Sequence, residues 1–304
     1  MTHPMRHTKR TCALALWLLL ALLLAACARV GIPAQQAAIL HADGFALDYL
    51  DLPAREAVGT TPHPLLLITG YAVTKEMWDQ RLVKALRAHR RVLVLDNRGM
   101  GPSAAPSGAF ALRDLARDAA ALLDGLGIAR ADVLGWSMGG MTAQELALQR
   151  PDLVRSLTLL ATVPDNAELM PVLDRMAALP PAELLGAMFP PGWVAAHPDA
   201  PAQLPARPRP PNMDVIARQY AAMKNWEGTR DRLPHLQTPV LLLAGGQDWV
   251  CSAEQSRQMA RAIPGARLEV LPQGGHWMMH QEPEALARLI ADFLAKVAAA
   301  SASR

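Results

Sequence analysis

Gly135-Trp136-Ser137-Met138-Gly139-Gly140 decides how this chain is read. The hexapeptide follows a strand-like run at 131–134 and opens an Ala- and Leu-rich helical run at 141–149. In that setting a Gly-x-Ser-x-Gly pattern makes a sharp strand-to-helix turn that holds the serine hydroxyl out at the end of a sheet. Small residues on either side let the backbone take a strained turn and pack closely.

Working outward, strand-like runs recur at 46–52, 64–69, 91–96, 156–161, 239–244 and 266–271. Leu65-Leu66-Leu67-Ile68, Val92-Leu93-Val94-Leu95 and Val240-Leu241-Leu242-Leu243 are continuously apolar rather than alternating. Strands covered on both faces read that way, which predicts a mostly parallel sheet with helices on each side. Helical stripes lie between them. Residues 111–126 place Leu112, Leu115, Ala119, Leu122, Leu123 and Leu126 on one side and Arg113, Asp114, Arg117 and Asp118 opposite. A second stripe, at 281–299, closes the chain. Strand alternating with helix predicts a doubly wound α/β fold.

The segment 164–236 breaks this rhythm. Ten of the 25 prolines fall between Pro180 and Pro211, and no long strand-like run occurs. Helices are predicted at 170–179, 182–188 and 214–226, joined by stiff, extended connections. The core thus comprises 39–163 and 237–304, interrupted by a helical insertion.

Two further strand ends carry chemistry. Leu243-Ala244-Gly245-Gly246-Gln247-Asp248 ends a buried strand on an aspartate, and Leu271-Pro272-Gln273-Gly274-Gly275-His276 ends the last strand on a histidine. With Ser137 ahead of both, this resembles the α/β-hydrolase superfamily, in which the chain order is serine, acid, histidine. The resemblance covers nearly all of the chain beyond its first residues. It implies Ser137 as nucleophile, His276 as the base that takes its proton, and Asp248 as the group that orients the imidazole. Asp165 is the alternative acid, and Asp248 could instead cap the helix that follows. The resemblance also implies an oxyanion hole from the main-chain amides of Met138 and Tyr71. Thr69-Gly70 stands where members commonly have His-Gly, a departure that bears on the rigidity of that loop. Asp96-Asn97-Arg98-Gly99-Met100-Gly101-Pro102-Ser103 resembles a further signature of the superfamily, read here as a structural turn with Asp96 and Arg98 in one ion-pair network. By the same resemblance, the insertion 164–236 is a cap over the active site. Its Met170, Met176, Met188, Phe189, Trp193, Met213, Tyr220, Met223 and Trp226 either line an apolar acyl site or form the cap's own core. His280, His197 and His235 are read as surface or cap residues rather than catalytic ones.

The implied activity is carboxylic ester hydrolysis through an acyl-enzyme. C–C bond hydrolysis, thioester hydrolysis and cofactor-free perhydrolysis are alternatives on the same fold, and a non-catalytic binding module is the competing class. No His/Cys/Asp/Glu cluster has metal-ligand spacing, so neither metal nor cofactor is expected.

The first residues read as a processing signal. Arg6, Lys9 and Arg10 precede an apolar run at 12–26 too short to span a bilayer comfortably. Leu24-Ala25-Ala26-Cys27 resembles a bacterial lipobox, which implies cleavage before Cys27, acylation of its thiol, and a tether over 27–38. Ala28, not Asp, follows the cysteine, which by the sorting pattern of such lipoproteins implies the outer membrane. The three early basic residues account for the whole formal charge of +3, since no acidic residue precedes Asp43. A nucleic-acid partner is therefore not expected. Cys251 remains as a lone thiol, read as packing.

Overall fold

Leu65 and Leu67 pack into one apolar cluster while Leu66 and Ile68, the residues alternating with them, pack into a second. All four are fully buried. A strand alternates its side chains between faces, so two buried faces demand an unbroken apolar run. Leu241 and Leu243 against Val240 and Leu242 repeat the arrangement.

These runs belong to a computed structural model that describes residues 37–42, 45–56, 62–205 and 210–302. The lipobox, Cys27 and nearly all of the tether lie outside the described residues. Among the described residues no helix is long and apolar enough to cross a membrane.

The strands are β1 (Ala37–Ala42), β2 (Phe45–Leu52), β3 (Leu65–Ile68), β4 (Val92–Leu95), β5 (Ala131–Trp136), β6 (Val154–Leu160), β7 (Val240–Gly245) and β8 (Arg267–Leu271). They form one sheet in the order β1-β2-β4-β3-β5-β6-β7-β8. The ladder is parallel from β4 to β8 and antiparallel at β1–β2 and β2–β4. β1 is a correction to the sequence reading, which placed its first residues in a tether. Its short Ala-rich run carries no strand pattern of its own and is held by pairing with β2.

Helices α1 (Gln80–Leu86), α2 (Leu112–Gly125) and α3 (Met138–Gln149) cover the sheet in the first half of the chain. Between β6 and β7 run α4 (Leu169–Met176), α5 (Pro181–Met188), α6 (Pro191–Ala196), α7 (Ala200–Gln203) and α8 (Met213–Lys224). The proline-rich stretch is more helical than its composition suggested. Pro181 and Pro191 each begin a helix, where the missing N–H is not needed and the fixed φ suits the first turn. After β7 come α9 (Ala253–Ala262), α10 (Met278–Gln281) and α11 (Pro283–Ala302).

Strand order reverses at β3, which has β4 on one side and β5 on the other. In open α/β sheets the crevice outside the strand ends at such a point is where ligands bind. The loop after β3 and the turn after β5 both open there.

Candidate active site

Ser137 sits between β5 and α3 with φ 56° and ψ −121°, a left-handed conformation rare for a residue with a side chain. Two glycines permit it. A Cβ on Gly135 would lie 2.3 Å from the Gly139 carbonyl oxygen, and one on Gly139 would lie 2.2 Å from that of Ile68. The turn is therefore wedged against β3, and the serine backbone is held on both sides. Its N–H donates to Leu160 O at 3.0 Å, and its carbonyl accepts from Thr162 Oγ1 at 2.7 Å.

His276 reaches this turn from the loop after β8. Its Nε2 is 3.1 Å from Ser137 Oγ, and its Nδ1 is 3.0 Å from Asp248 Oδ2. All three residues are less than a tenth exposed. The histidine loop is pinned: Trp136 Nε1 donates to His276 O at 3.3 Å, Gly275 N to Gln281 Oε1 at 2.7 Å, and Trp277 N to Met188 O at 3.0 Å. Asp248 spends its other oxygen on its own loop, with Oδ1 accepting from Val250 N at 2.8 Å and Cys251 N at 2.9 Å. It does not cap α9, a role taken by Ser252, which exchanges bonds with Gln255. Asp165, the alternative acid, pairs instead with Arg230 at 2.6 Å. Cys251 is fully buried, and burial, then the charge of Asp248, pushes its thiol well above the ordinary range, so it is no nucleophile.

Tyr71 and Ser137 line one pocket, and a Cβ on Gly70 would lie 3.4 Å from that of Ser137. The β3 loop thus approaches the serine closely because residue 70 has no side chain. Met138 begins α3, where the first amides have no intrahelical acceptor. Thr69, in place of the common histidine, is fully buried, and Asn97 Nδ2 donates to both its carbonyl and its hydroxyl at 3.2 Å. Farther along, the amide of Ala72 (φ 59°) donates to Gln219 Oε1 of α8 at 3.0 Å, and Lys75 N to Asp96 Oδ1 at 2.6 Å. The loop is anchored at three points. Burial, then the neighbouring Tyr220, raises the Tyr71 phenol well above its usual value, so it stays neutral.

One expectation about the 96–103 turn is corrected. Asp96 and Arg98 belong to separate clusters, Asp96 with Lys75 and Arg98 with Asp118, both of whose guanidinium bonds measure 2.6 Å. A turn at 97–100, in which Met100 N donates to Asn97 O at 2.9 Å, follows Asp96, and Arg98 within it reaches Asp118 of α2. His280 is a second correction, since it is buried rather than on the surface, its Nδ1 3.3 Å from Asp79 Oδ2. His197 and His235 are exposed.

The pocket beside Ser137 has a volume of about 60 Å³ and a mostly apolar wall. Of the candidates from the insertion, Met176, Met188 and Met223 line it. Phe189 and Trp226 are instead buried in the surrounding core, Trp226 donating to Glu145 at 2.8 Å. Leu169, Leu173 and Leu184 also line it. They were not singled out in the sequence, although Leu169, Leu173 and Met176 follow one helix face at i, i+4, i+7. Gln219 left no signal, because a lone glutamine on an amphipathic helix reads as solvated. Among the described residues no cluster of metal-ligating side chains is present.

The family profile described as alpha/beta hydrolase fold matches residues 63–283. A putative carbamate hydrolase RutD of Pseudomonas savastanoi pv. phaseolicola is 32% identical over 243 residues, covering 76% of this chain and 93% of that protein. A 2-hydroxymuconate semialdehyde hydrolase of Pseudomonas sp. strain CF600 is 33% identical, covering 79% and 89%. Among solved structures, a thermophilic esterase from Thermogutta terrifontis superimposes with a TM-score of 0.72 at 27% identity, covering 86% and 99%.

Proposed function

The chain belongs to the α/β-hydrolase family, and from that premise we propose that it hydrolyses carboxylic esters with small, apolar acyl groups through an acyl-enzyme. The observation that carries this reading is the 3.1 Å approach of His276 Nε2 to Ser137 Oγ at the mouth of a small apolar pocket. A serine hydroxyl is a poor nucleophile until a base takes its proton. In the proposed reaction Ser137 Oγ attacks the acyl carbon as His276 accepts the proton. Asp248 holds the ring with Nδ1–H toward itself and stabilises the imidazolium. The amides of Tyr71 and Met138 receive the oxyanion. His276 then protonates the departing alkoxide, and water, deprotonated by the same imidazole, releases the acid and restores the serine.

The esterase of T. terrifontis supports this chemistry, and the carbamate hydrolase relative concerns a neighbouring acyl transfer at a carbonyl. The 2-hydroxymuconate semialdehyde hydrolase raises C–C cleavage as a second reading. The pocket disfavours it, because among the described residues its wall carries no Arg or Lys to hold an acidic substrate.

Turnover of p-nitrophenyl acetate and butyrate, with labelling of Ser137 by a fluorophosphonate, tests the proposal. Asp248→Asn is expected to lower kcat by about 10⁴-fold, the scale seen when the orienting carboxylate of such a triad is lost. Ester turnover that survives Ser137→Ala, or an unlabelled Ser137 in a protein that cleaves no ester, rejects it. Perhydrolysis in peroxide and acetate that outruns ester hydrolysis points to the perhydrolase alternative.

For location we propose that Cys27 is lipidated and holds the protein at the periplasmic face of an outer membrane, on the strength of the Leu24-Ala25-Ala26-Cys27 sequence. Several acyl chains together anchor stably, each buried CH₂ contributing about 0.8 kcal/mol. Wild-type protein in the membrane fraction and Cys27→Ser protein released from it is the expected result; equal partition refutes it.

A further inference from the structure

A second cavity, of about 330 Å³, lies apart from Ser137 on the outer half of the sheet. Its floor is apolar, built from Leu50 and Leu52 of β2, Val94 of β4, Val83 of α1, and Trp78. Its volume reaches the range of about 300–1,000 Å³ typical of ligand sites, whereas the pocket at Ser137 does not. The remaining lining is Gln80 and five cations, Arg55, Lys75, Arg81, Lys84 and Arg87, with no carboxylate side chain among the described residues that line it.

Two of these cations are neutralised, Lys75 by Asp48 and Asp96, and Arg81 by Asp79. Arg87 turns its guanidinium to the Pro53 carbonyl. Arg55 and Lys84 are exposed and pair with no carboxylate among the described residues. Trp78 is 2% exposed, and its indole Nε1 has no hydrogen-bond acceptor among the described residues. An apolar floor with two unpaired cations above it describes a negatively charged ligand with a hydrocarbon tail.

We propose that this cavity binds a single-chain anionic amphiphile, a fatty-acid carboxylate, with its chain over Leu50, Leu52 and Val94 and its head group on Arg55 and Lys84. The charge complementarity decides the class. A neutral alcohol of equal length would leave both cations unpaired, and a cationic amphiphile would be repelled. The site is separate from the chemistry proposed at Ser137 and does not depend on it. Its wall residue Trp78 does stand edge-on to Trp136, with ring centroids 6.1 Å apart, and Trp136 lines the smaller pocket.

Calorimetric titration of the full chain with sodium decanoate, kept below its micellar concentration, tests the proposal beside 1-decanol and decyltrimethylammonium. The expected result is decanoate binding that exceeds both controls and weakens roughly tenfold or more in the Arg55→Glu, Lys84→Glu double variant. The thermal midpoint of that variant is expected to match wild type, since both side chains are exposed; Val83→Arg, which fills the groove from α1, provides a second abolition. Decanoate that fails to bind, binds the double variant equally, or is matched by the alcohol overturns the inference. The readout is heat of binding, so a protein without esterase activity still decides it.

Discussion

Replacing Lys75 by methionine keeps the length of the side chain and removes its charge from a place where two carboxylates need it. Lys75 Nζ donates to Asp48 Oδ2 and, at 2.7 Å, to Asp96 Oδ2, and lies 3.3 Å from Glu76 Oε1. Lys75, Asp48 and Asp96 are 4%, 2% and 0% exposed. Removing one partner of a buried pair costs roughly 3–5 kcal/mol, because the remaining charge is neither solvated nor matched. Part of that cost responds to pH. Burial first, then the charge of Glu76, pushes the Asp96 carboxyl up to about 7, against the opposing pull of Lys75. A folded value above the unfolded one means the native state binds the extra proton. Stability from this group is therefore gained on acidification and lost as pH rises through about 7. Without the ammonium the Asp96 carboxyl is driven further up, so the variant carries up to one proton more than wild type above about pH 7 and no extra proton well below it. Each pH unit then restores about 1.4 kcal/mol. Acting over the one unit between pH 8 and about 7, this is expected to shrink a deficit of roughly 4 kcal/mol at pH 8 to roughly 2.5 kcal/mol at pH 5.5. Urea unfolding of both proteins at both pH values measures it. A deficit that is the same at the two pH values, or none at pH 8, refutes the reasoning.

Gln219→Leu removes the acceptor of the Ala72 amide while keeping α8 apolar against the loop; kcat on a p-nitrophenyl ester is expected to fall roughly tenfold with KM little changed, from a loss of about 1–3 kcal/mol. Gly139→Ala places a methyl carbon 2.2 Å from the backbone oxygen of Ile68, so the thermal midpoint is expected to collapse. Gly186→Ala, within α5 and with open space around it, is expected to stabilise by about 0.5–1 kcal/mol in the same assay. Ester turnover is expected to fall in acid with a slope of one proton, since a protonated imidazole takes none from Ser137; a rate that stays flat in acid removes His276 from the role of base.

Unbroken apolar runs such as Leu65-Leu66-Leu67-Ile68 and Val240-Leu241-Leu242-Leu243 made a sheet buried on both faces legible from composition along a few residues. That requirement is local: each residue must find an apolar neighbour whichever face it points to. The glycines around Ser137 were legible for a similar reason, since a sharp turn leaves no room for a Cβ. β1 was not legible, because its Ala-rich run gains its strand conformation from pairing with β2 rather than from its own side chains. Nor was α6, which begins at Pro191 in a stretch read as a stiff connection.

By itself the sequence determined the doubly wound class and the serial order of a serine, an aspartate and a histidine at three strand ends. Only the tertiary structure decided which of those groups meet. It brought residues 137, 248 and 276 within hydrogen-bond reach, sent Asp165 to Arg230, parted Asp96 from Arg98 and buried His280. The physical reason is range. Hydrophobic periodicity and turn chemistry act over a few residues, whereas an ion pair or a proton path depends on where chain segments 20 to 139 residues apart meet.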